Sequence, residues 1–273
     1  MPIERILTAS RGFARTPNVQ LYDMSEQQLV REILFGSSRL YEFFGFVMTD
    51  VHGLRSEDGW EYLFIGNLPR TDVGLSRLGQ PGDIDVLIVP HCKGMLPIGK
   101  AAAIEVKRLS LKSPRWGKST DRFGITQANG LLDAGFPYVG LLYLIVHHEG
   151  PDENHRNTQA ARVLDAHGRV SFEGEHISDM TGPISCERQL GMLLAHNPDE
   201  RIGLNCVSLS DVNMNGEPGV KIGMPHRRPA KENPRASQQC MRDIEAWSGE
   251  CLCRRTEAAI ANSVDIHKTR RGL

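Results

Sequence analysis

Three short apolar runs stand out along the chain, each rich in aliphatic or β-branched residues. They are Ile84–Val89, Ala101–Lys107 and Tyr138–Val146. Runs of this length predict strands. The third run is apolar almost throughout, which indicates a strand buried on both faces. The short connection between the first two runs favours an antiparallel hairpin.

Helical patterns lie on either side of these strands. Ser25 is a candidate cap for a helix over Glu26–Phe35, in which the apolar residues form one stripe. Glu61–Ile65 predicts a further short strand. Residues 119–134 predict a second helix, which ends at Gly135. Because this helix joins two predicted strands, we expect a crossover connection between them.

The pattern weakens after residue 150 and predicts shorter elements. These are a small hairpin over 161–172, a helix over 186–195, strands over 204–209 and 219–222, and a helix over 238–247. We therefore predict an α/β fold whose mixed central sheet is flanked by helices, with an additional C-terminal α+β region. The predicted core covers residues 1–150. The extension over 151–273 either completes the sheet or forms a lobe that binds DNA or another partner.

Composition restricts the class of protein without selecting a function. The chain has 273 residues and a formal net charge of −1, so any binding of nucleic acid requires basic groups concentrated in one place. No apolar run approaches the roughly 20 residues that span a bilayer, and the N-terminus lacks the apolar centre of a signal peptide. We therefore expect a cytoplasmic protein without a membrane partner. The six cysteines lack common zinc spacings.

The candidate chemistry lies on the first two predicted strands. Asp83 and Asp85 surround the start of the first strand, and Glu105 and Lys107 lie on the second. Residues two apart on a strand point to the same face, so Glu105 and Lys107 should act together. Ionised groups inside buried strands are costly without partners. Two carboxylates from adjacent strands can bind a hard divalent cation, and a lysine beside them can stabilise charge on a phosphoryl group.

The order of helix, strand, Asp-bearing strand, Glu-x-Lys strand, helix and strand resembles the common core of the PD-(D/E)XK nucleases, the restriction-endonuclease-like superfamily. The resemblance covers about residues 25–146. It implies a Mg²⁺- or Mn²⁺-dependent nuclease that hydrolyses phosphodiester bonds in DNA, in repair, restriction or anti-phage defence. It assigns metal binding to Asp85 and Glu105, and the role of catalytic lysine to Lys107. Here Gly82-Asp83-Ile84-Asp85 stands in place of the strict Pro-Asp motif. Strand alternation predicts that Asp83 points to the same face as Asp85, which makes Asp83 a candidate accessory residue.

The same resemblance suggests two residues on helices. Many members of the family add a glutamate from the first helix as a metal ligand, and we assign this role to Glu32, with Glu26 and Glu42 as rivals. Related enzymes also carry a polar residue, commonly glutamine, on the helix after the Glu-x-Lys strand. Gln127 matches that position and is a candidate catalytic residue.

A basic segment follows the Glu-x-Lys strand and suits contacts with nucleic acid. It contains Lys112, Arg115 and Lys118, which can contact phosphates, and Trp116, which can stack on a base or sugar. A basic loop can equally be a solvated surface. In contrast, adjacent residues on a strand point to opposite faces, so His147-His148 does not predict a paired metal site.

Two other classes of function stay open at this point. One is a catalytically silent module that keeps the fold and binds nucleic acid or a partner. The other is an unrelated hydrolase of small phosphates, which is weakened by the lack of a Gly-rich phosphate loop and of a His-Glu-x-x-His motif. The sequence does not distinguish DNA from RNA or endonuclease from exonuclease, and it leaves open whether the protein is a homodimer.

Overall fold

The structure of the protein is a computed structural model, and it describes residues 3–7, 20–35, 61–75, 82–91, 95–111, 122–148, 152–163, 169–214, 217–223 and 226–250. The described strands are β1 (Ile3–Leu7), β2 (Glu61–Leu68), β3 (Ile84–His91), β4 (Ala102–Ser110), β5 (Tyr138–Val146), β6 (His155–Val163), β7 (Val170–Asp179), β8 (Gly203–Met214), β9 (Glu217–Ile222) and β10 (His226–Arg228). The described helices of more than one turn are α1 (Glu26–Phe35), α2 (Arg122–Ala134), α3 (Thr181–Ala195) and α4, which covers 238–250.

One mixed sheet forms the centre of the molecule. Its order is β1-β2-β3-β4-β5-β8-β10, and β9 pairs with β8 beside this path. The strand β3 is antiparallel to both of its neighbours, β2 and β4, whereas β4, β5 and β8 run parallel. The predicted hairpin between the first two apolar runs is confirmed. The sheet contains strands from both predicted regions, the core over 1–150 and the extension over 151–273, because β8 of the extension pairs directly with β5 of the core.

Helices cover both faces of this sheet, as the burial of every residue of β5 requires. Leu141 and Tyr143 pack on the side that carries the buried residues of α2, α3 and α4. Leu142 and Leu144 pack on the opposite side, where Leu29 of α1 is fully buried. All nine residues of β5 are buried, so the prediction of a strand buried on both faces is confirmed. The predicted α/β class with a mixed, helix-flanked sheet is also confirmed.

Local chemistry explains where α1 begins. The Ser25 hydroxyl accepts a hydrogen bond from the Gln28 backbone N–H at 3.2 Å, and the Gln28 side-chain oxygen accepts one from the Ser25 N–H at 2.7 Å. This reciprocal pair is a capping box and satisfies two backbone donors that the helix itself cannot. The predicted cap at Ser25 is therefore confirmed, and it fixes the first turn of α1.

The C-terminal elements are longer than their sequence patterns indicate. α3 begins at Thr181 rather than Cys186, because the Asp179 carboxylate accepts the Thr181 backbone N–H at 2.8 Å. Within the ranges that the structure describes, β6 and β7 pair only with each other, in a hairpin separate from the central sheet. No helix in the described part of the chain is long and apolar enough to cross a membrane.

Candidate active site

The candidate site lies where β3 and β4 stop pairing. Their backbone ladder ends at Val86 opposite Ile104, although β4 stays paired with β5 as far as Ser110. Continuing the register by one residue would place Asp85 opposite Glu105. Instead, the Asp85 carboxylate accepts the Val106 backbone N–H at 2.7 Å. The side chain thus replaces a strand partner, and the two strands separate at the residues that carry the chemistry.

Glu105 and Lys107 form the centre of the site. The Lys107 ammonium donates to the Glu105 carboxylate at 2.5 Å, and the Glu105 side chain is only 2% exposed. The prediction that the two side chains share one face is therefore confirmed by their contact. Lys107 retains more exposure than Glu105, so its side chain is open to solvent while its ammonium neutralises the buried carboxylate.

The first helix contributes Glu26 to the site, rather than the assigned Glu32. One oxygen of Glu26 lies 3.5 Å from the Lys107 ammonium, and the other accepts the Arg108 backbone N–H at 2.9 Å. Glu32 lies six residues later on α1, about 9 Å along the helix axis. Among the described residues it makes no hydrogen bond or ion pair with this cluster. Glu42 lies outside the described residues.

The second helix approaches the same place from the other side of the sheet. A methyl group at Gly124 would meet the Tyr143 hydroxyl at 3.0 Å and the Lys107 side chain at 3.2 Å. One turn later on α2, the Gln127 amide nitrogen lies 3.5 Å from the point that a methyl group on Gly82 would occupy. The Gln127 side-chain oxygen is buried and has no hydrogen-bond partner within the described part of the chain. The structure thus brings Gln127 beside the segment that leads to Asp85.

Asp83 has a different role from its neighbour. It is exposed, and its carboxylate accepts the Arg70 backbone N–H at 3.2 Å. Strand alternation cannot place it beside Asp85, because β3 begins only at Ile84. The structure therefore assigns Asp83 to the loop at Arg70 and gives no support for an accessory role at the site.

Burial and mutual repulsion make the site electrostatically unusual. Burial, followed by repulsion from Glu105, raises the pKa of Asp85 from 3.8 to about 7. Burial also raises the pKa of Glu105, although its hydrogen bond with Lys107 opposes this change. Burial alone would lower the pKa of Lys107, but the surrounding carboxylates raise it. Three carboxylates therefore share one ammonium, and a further cation would relieve the excess negative charge.

The donor set fits Mg²⁺ or Mn²⁺, although no group of three or more His, Cys, Asp or Glu side chains arranged to hold a metal is found within the described ranges. Mg²⁺ commonly uses one or two protein carboxylates and fills its other positions with water and substrate phosphate. Asp85 and Glu105 would provide two such carboxylates. Their raised pKa values have the same main cause, which is burial, and repulsion from neighbouring carboxylates adds to it.

The residues predicted to contact nucleic acid lie outside the described residues; they are Lys112, Arg115, Trp116 and Lys118. The described strand does, however, lead directly to this segment, since the Leu111 N–H donates to the Val146 carbonyl at 2.9 Å. His147 and His148 lie at the end of β5, and the Nδ1 atom of His147 is 2.7 Å from the His148 carbonyl oxygen.

Comparison with known proteins found no match among protein-family models, curated proteins or solved structures. The chemistry of this chain must therefore be argued from its own residues.

Without added metal, the stability of the protein should depend on pH. Because folding raises the pKa of Asp85 from 3.8 to about 7, the folded protein holds this proton more tightly than the unfolded chain. This contribution to the free energy of unfolding is fully present below pH 4 and is lost as the pH rises through about 7. We expect Asp85→Asn to gain stability over wild type at pH 8 but not at pH 4.

Urea denaturation of both proteins at the two pH values checks this expectation. Asp83→Asn is the matched control, because Asp83 also accepts one backbone N–H but is exposed. An equal effect of Asp85→Asn at both pH values would contradict the assigned burial and repulsion.

The second prediction concerns the close approach of α2 to Lys107. Gly124→Ala places a methyl group 3.0 Å from the Tyr143 hydroxyl and 3.2 Å from the Lys107 side chain, so these groups must shift by a few tenths of an ångström. Because catalysis is sensitive to displacements of this order, we expect roughly a tenfold loss of turnover. Gly191→Ala on α3 is the control, since nothing lies within 4 Å of its added methyl group. Comparable losses in both variants would show that Gly124 does not position Lys107.

Proposed function

We propose that this protein is a metal-dependent nuclease of the PD-(D/E)XK type that hydrolyses phosphodiester bonds in DNA. The observation that carries the proposal is the convergence of Asp85, Glu105 and Lys107 at the point where β3 and β4 separate. Glu26 reaches the same point from α1, and Gln127 of α2 lies beside the segment that leads to Asp85. The elements that carry these residues occur in the order α1, β2, β3, β4, α2, β5, which is the order on which the resemblance to this superfamily rests.

Asp85 and Glu105 would hold the cation in the proposed site. Mg²⁺ or Mn²⁺, when bound, would activate a water molecule and offset charge on the phosphoryl oxygens. Asp85 is oriented for this role because its carboxylate is fixed by the Val106 N–H at 2.7 Å. Glu105 is oriented by Lys107. Both carboxylates are therefore preorganised by the protein before substrate binds.

Lys107 supplies positive charge at the phosphate. Its ammonium lies between Glu105 at 2.5 Å and Glu26 at 3.5 Å, which fixes the direction of the side chain. Phosphodiester hydrolysis builds negative charge on the phosphoryl oxygens, and a preorganised cation lowers the barrier by stabilising that charge. Glu26 acts through Lys107 and Arg108 and is therefore a positioning residue.

Gln127 suits the orientation of a water molecule or substrate group. Its side-chain oxygen is buried without a hydrogen-bond partner within the described ranges, and a buried acceptor without a partner is unfavourable. A donor that enters the site with the substrate would satisfy it. This property supports the role that the resemblance assigns to Gln127.

The proposal is tested by incubating the purified protein with plasmid, linear duplex, single-stranded DNA and RNA. Each substrate is assayed with Mg²⁺, with Mn²⁺ and with excess chelator. We expect cleavage of DNA with either metal and none with chelator. Retention of DNA binding without cleavage under any of these conditions would instead favour a catalytically silent nucleic-acid-binding module.

A further inference from the structure

An aromatic pair lies beside the candidate active site and has no part in the chemistry assigned above. The rings of Tyr22 and His148 stack with their centroids 4.4 Å apart and their planes 23° from parallel. Tyr22 belongs to the segment before α1, and His148 follows β5. His148 is exposed although Tyr22 covers one face of its ring. The remainder of the imidazole therefore meets solvent.

Contacts with the sheet hold Tyr22 in this position. The Arg108 guanidinium donates to the Tyr22 carbonyl oxygen, and the Tyr22 hydroxyl lies 3.5 Å from the Leu111 carbonyl oxygen. The preceding N–H, that of Leu21, donates to both carboxylate oxygens of Asp211 on β8, at 3.1 and 3.3 Å. Tyr22 is thus held against β4 and β8.

The same contacts connect the pair to the proposed catalytic residues. Arg108 directly follows Lys107, and its own backbone N–H is bound by Glu26. Leu111 lies four residues beyond Lys107 on the same extended segment, about 13 Å away at a rise of about 3.3 Å per residue. Stacked nucleotides advance about 3.4 Å each along one strand. A DNA strand with a phosphate at Lys107 would therefore reach the pair within about four nucleotides.

We propose that Tyr22 and His148 form a stacking platform for an unpaired base of the DNA strand that is cleaved. The inference rests on the proposed nuclease function and deepens it by naming the substrate class, which is DNA with a single-stranded segment next to the cleaved phosphate. Inside a duplex, each base face is covered by its neighbours, so stacking an aromatic ring there costs the separation of two base pairs, whereas an unpaired base offers its face freely.

The chemistry around the platform fits nucleic acid. Proteins that bind single strands combine aromatic rings, which stack on bases of any sequence, with basic groups that follow the backbone. Here the rings lie beside Arg108. The exposed imidazole of His148 provides the face on which a base can stack.

Binding in excess chelator tests the platform separately from cleavage. Fluorescence anisotropy is measured with a labelled single-stranded oligodeoxynucleotide and with a blunt duplex of the same sequence. We expect His148→Ala to weaken binding of the single strand about tenfold, because one base loses its stacking partner, and to leave duplex binding unchanged. His148→Phe and Tyr22→Phe keep both rings and should bind like wild type. Thermal melts verify that the exposed substitutions at His148 leave the protein folded.

Stacking also has a direct spectroscopic signature. 2-Aminopurine placed at successive positions of the single strand should be quenched at a position within about four nucleotides of the cleavage site. The quenching should be lost in His148→Ala and retained in His148→Phe.

Three results distinguish failure of the stacking platform from failure of the proposed nuclease function. Wild-type affinity of His148→Ala for the single strand would overturn the platform, whether or not the protein cleaves DNA. Equal losses for single strand and duplex would also overturn it, since they would indicate a general effect on binding. Ring-dependent binding and quenching in a protein that never cleaves DNA would overturn the nuclease proposal while supporting the platform.

Discussion

Asp85→Asn should abolish metal-dependent cleavage and leave the protein folded. The amide retains an oxygen that can accept the Val106 N–H, which lies 2.7 Å from the wild-type carboxylate, but it lacks the negative charge that a hard cation requires. The loss of rate should exceed the roughly 100-fold that removal of an outer-shell partner of a metal typically costs. Glu105→Gln should likewise abolish cleavage, because the amide lacks the negative charge. It should also leave the protein folded, because the amide oxygen can still accept the hydrogen bond from Lys107.

Single-turnover cleavage rates and thermal melts of each variant check this prediction. Asp83→Asn is the matched control, since it makes the same chemical change two residues earlier at an exposed position. It should cleave at the wild-type rate. Wild-type turnover of Asp85→Asn would rule out its role as a metal ligand.

Lys107→Ala should lower turnover while preserving the affinity for metal. Loss of one preorganised electrostatic donor typically costs about 100-fold or more in rate. The ammonium does not hold the cation. It also competes for Glu105 through an ion pair of 2.5 Å, so the variant should bind Mg²⁺ at least as tightly as wild type. Calorimetric titration of Mg²⁺, beside single-turnover cleavage, measures both quantities.

Lys107→Arg provides the accompanying test of geometry. The guanidinium is larger and planar, and it cannot place a compact charge at the same point. We therefore expect incomplete recovery of turnover relative to Lys107→Ala. If Lys107→Ala cleaves at the normal rate, Lys107 has no part in the chemistry and the Glu-x-Lys motif is part of a charged strand surface.

The central strands could be predicted from the sequence because their signals are local. The apolar run at Tyr138–Val146 can only be buried on both faces, and it forms β5 with the predicted bounds. The Ser25 cap likewise depends on atoms within one helical turn. The length of α3 was underestimated because its first turn is supported by Asp179 rather than by an apolar pattern.

The site could be predicted only where strand alternation applies. Glu105 and Lys107 lie within β4, so their shared face follows from the period of a strand. Asp83 lies before β3 begins, and the same rule fails there. Glu26 could not be selected over Glu32 because its contact with Arg108 joins residues 82 positions apart in the chain. The only local signal for Glu26 was its position as the first residue of α1, next to the Ser25 cap.

Sequence patterns also could not predict how deeply the charged groups around Lys107 are buried. Glu105 is almost fully buried, and the charged groups around it come from α1, β3 and β4, which meet only in the folded protein. The same is true of the Tyr22–His148 pair, which joins the segment before α1 to the end of β5. Such features depend on how distant elements pack, which periodicity does not encode.

The most direct test of the metal-dependent mechanism is single-turnover cleavage of DNA over a stepwise range of free Mg²⁺, with wild type, Asp85→Asn and Asp83→Asn measured in parallel. The account predicts no cleavage in excess chelator and a rate that rises with Mg²⁺ for wild type and Asp83→Asn. Asp85→Asn should stay at background throughout the range. Cleavage by wild type in excess chelator, or an Asp85→Asn curve that coincides with that of wild type, would contradict it.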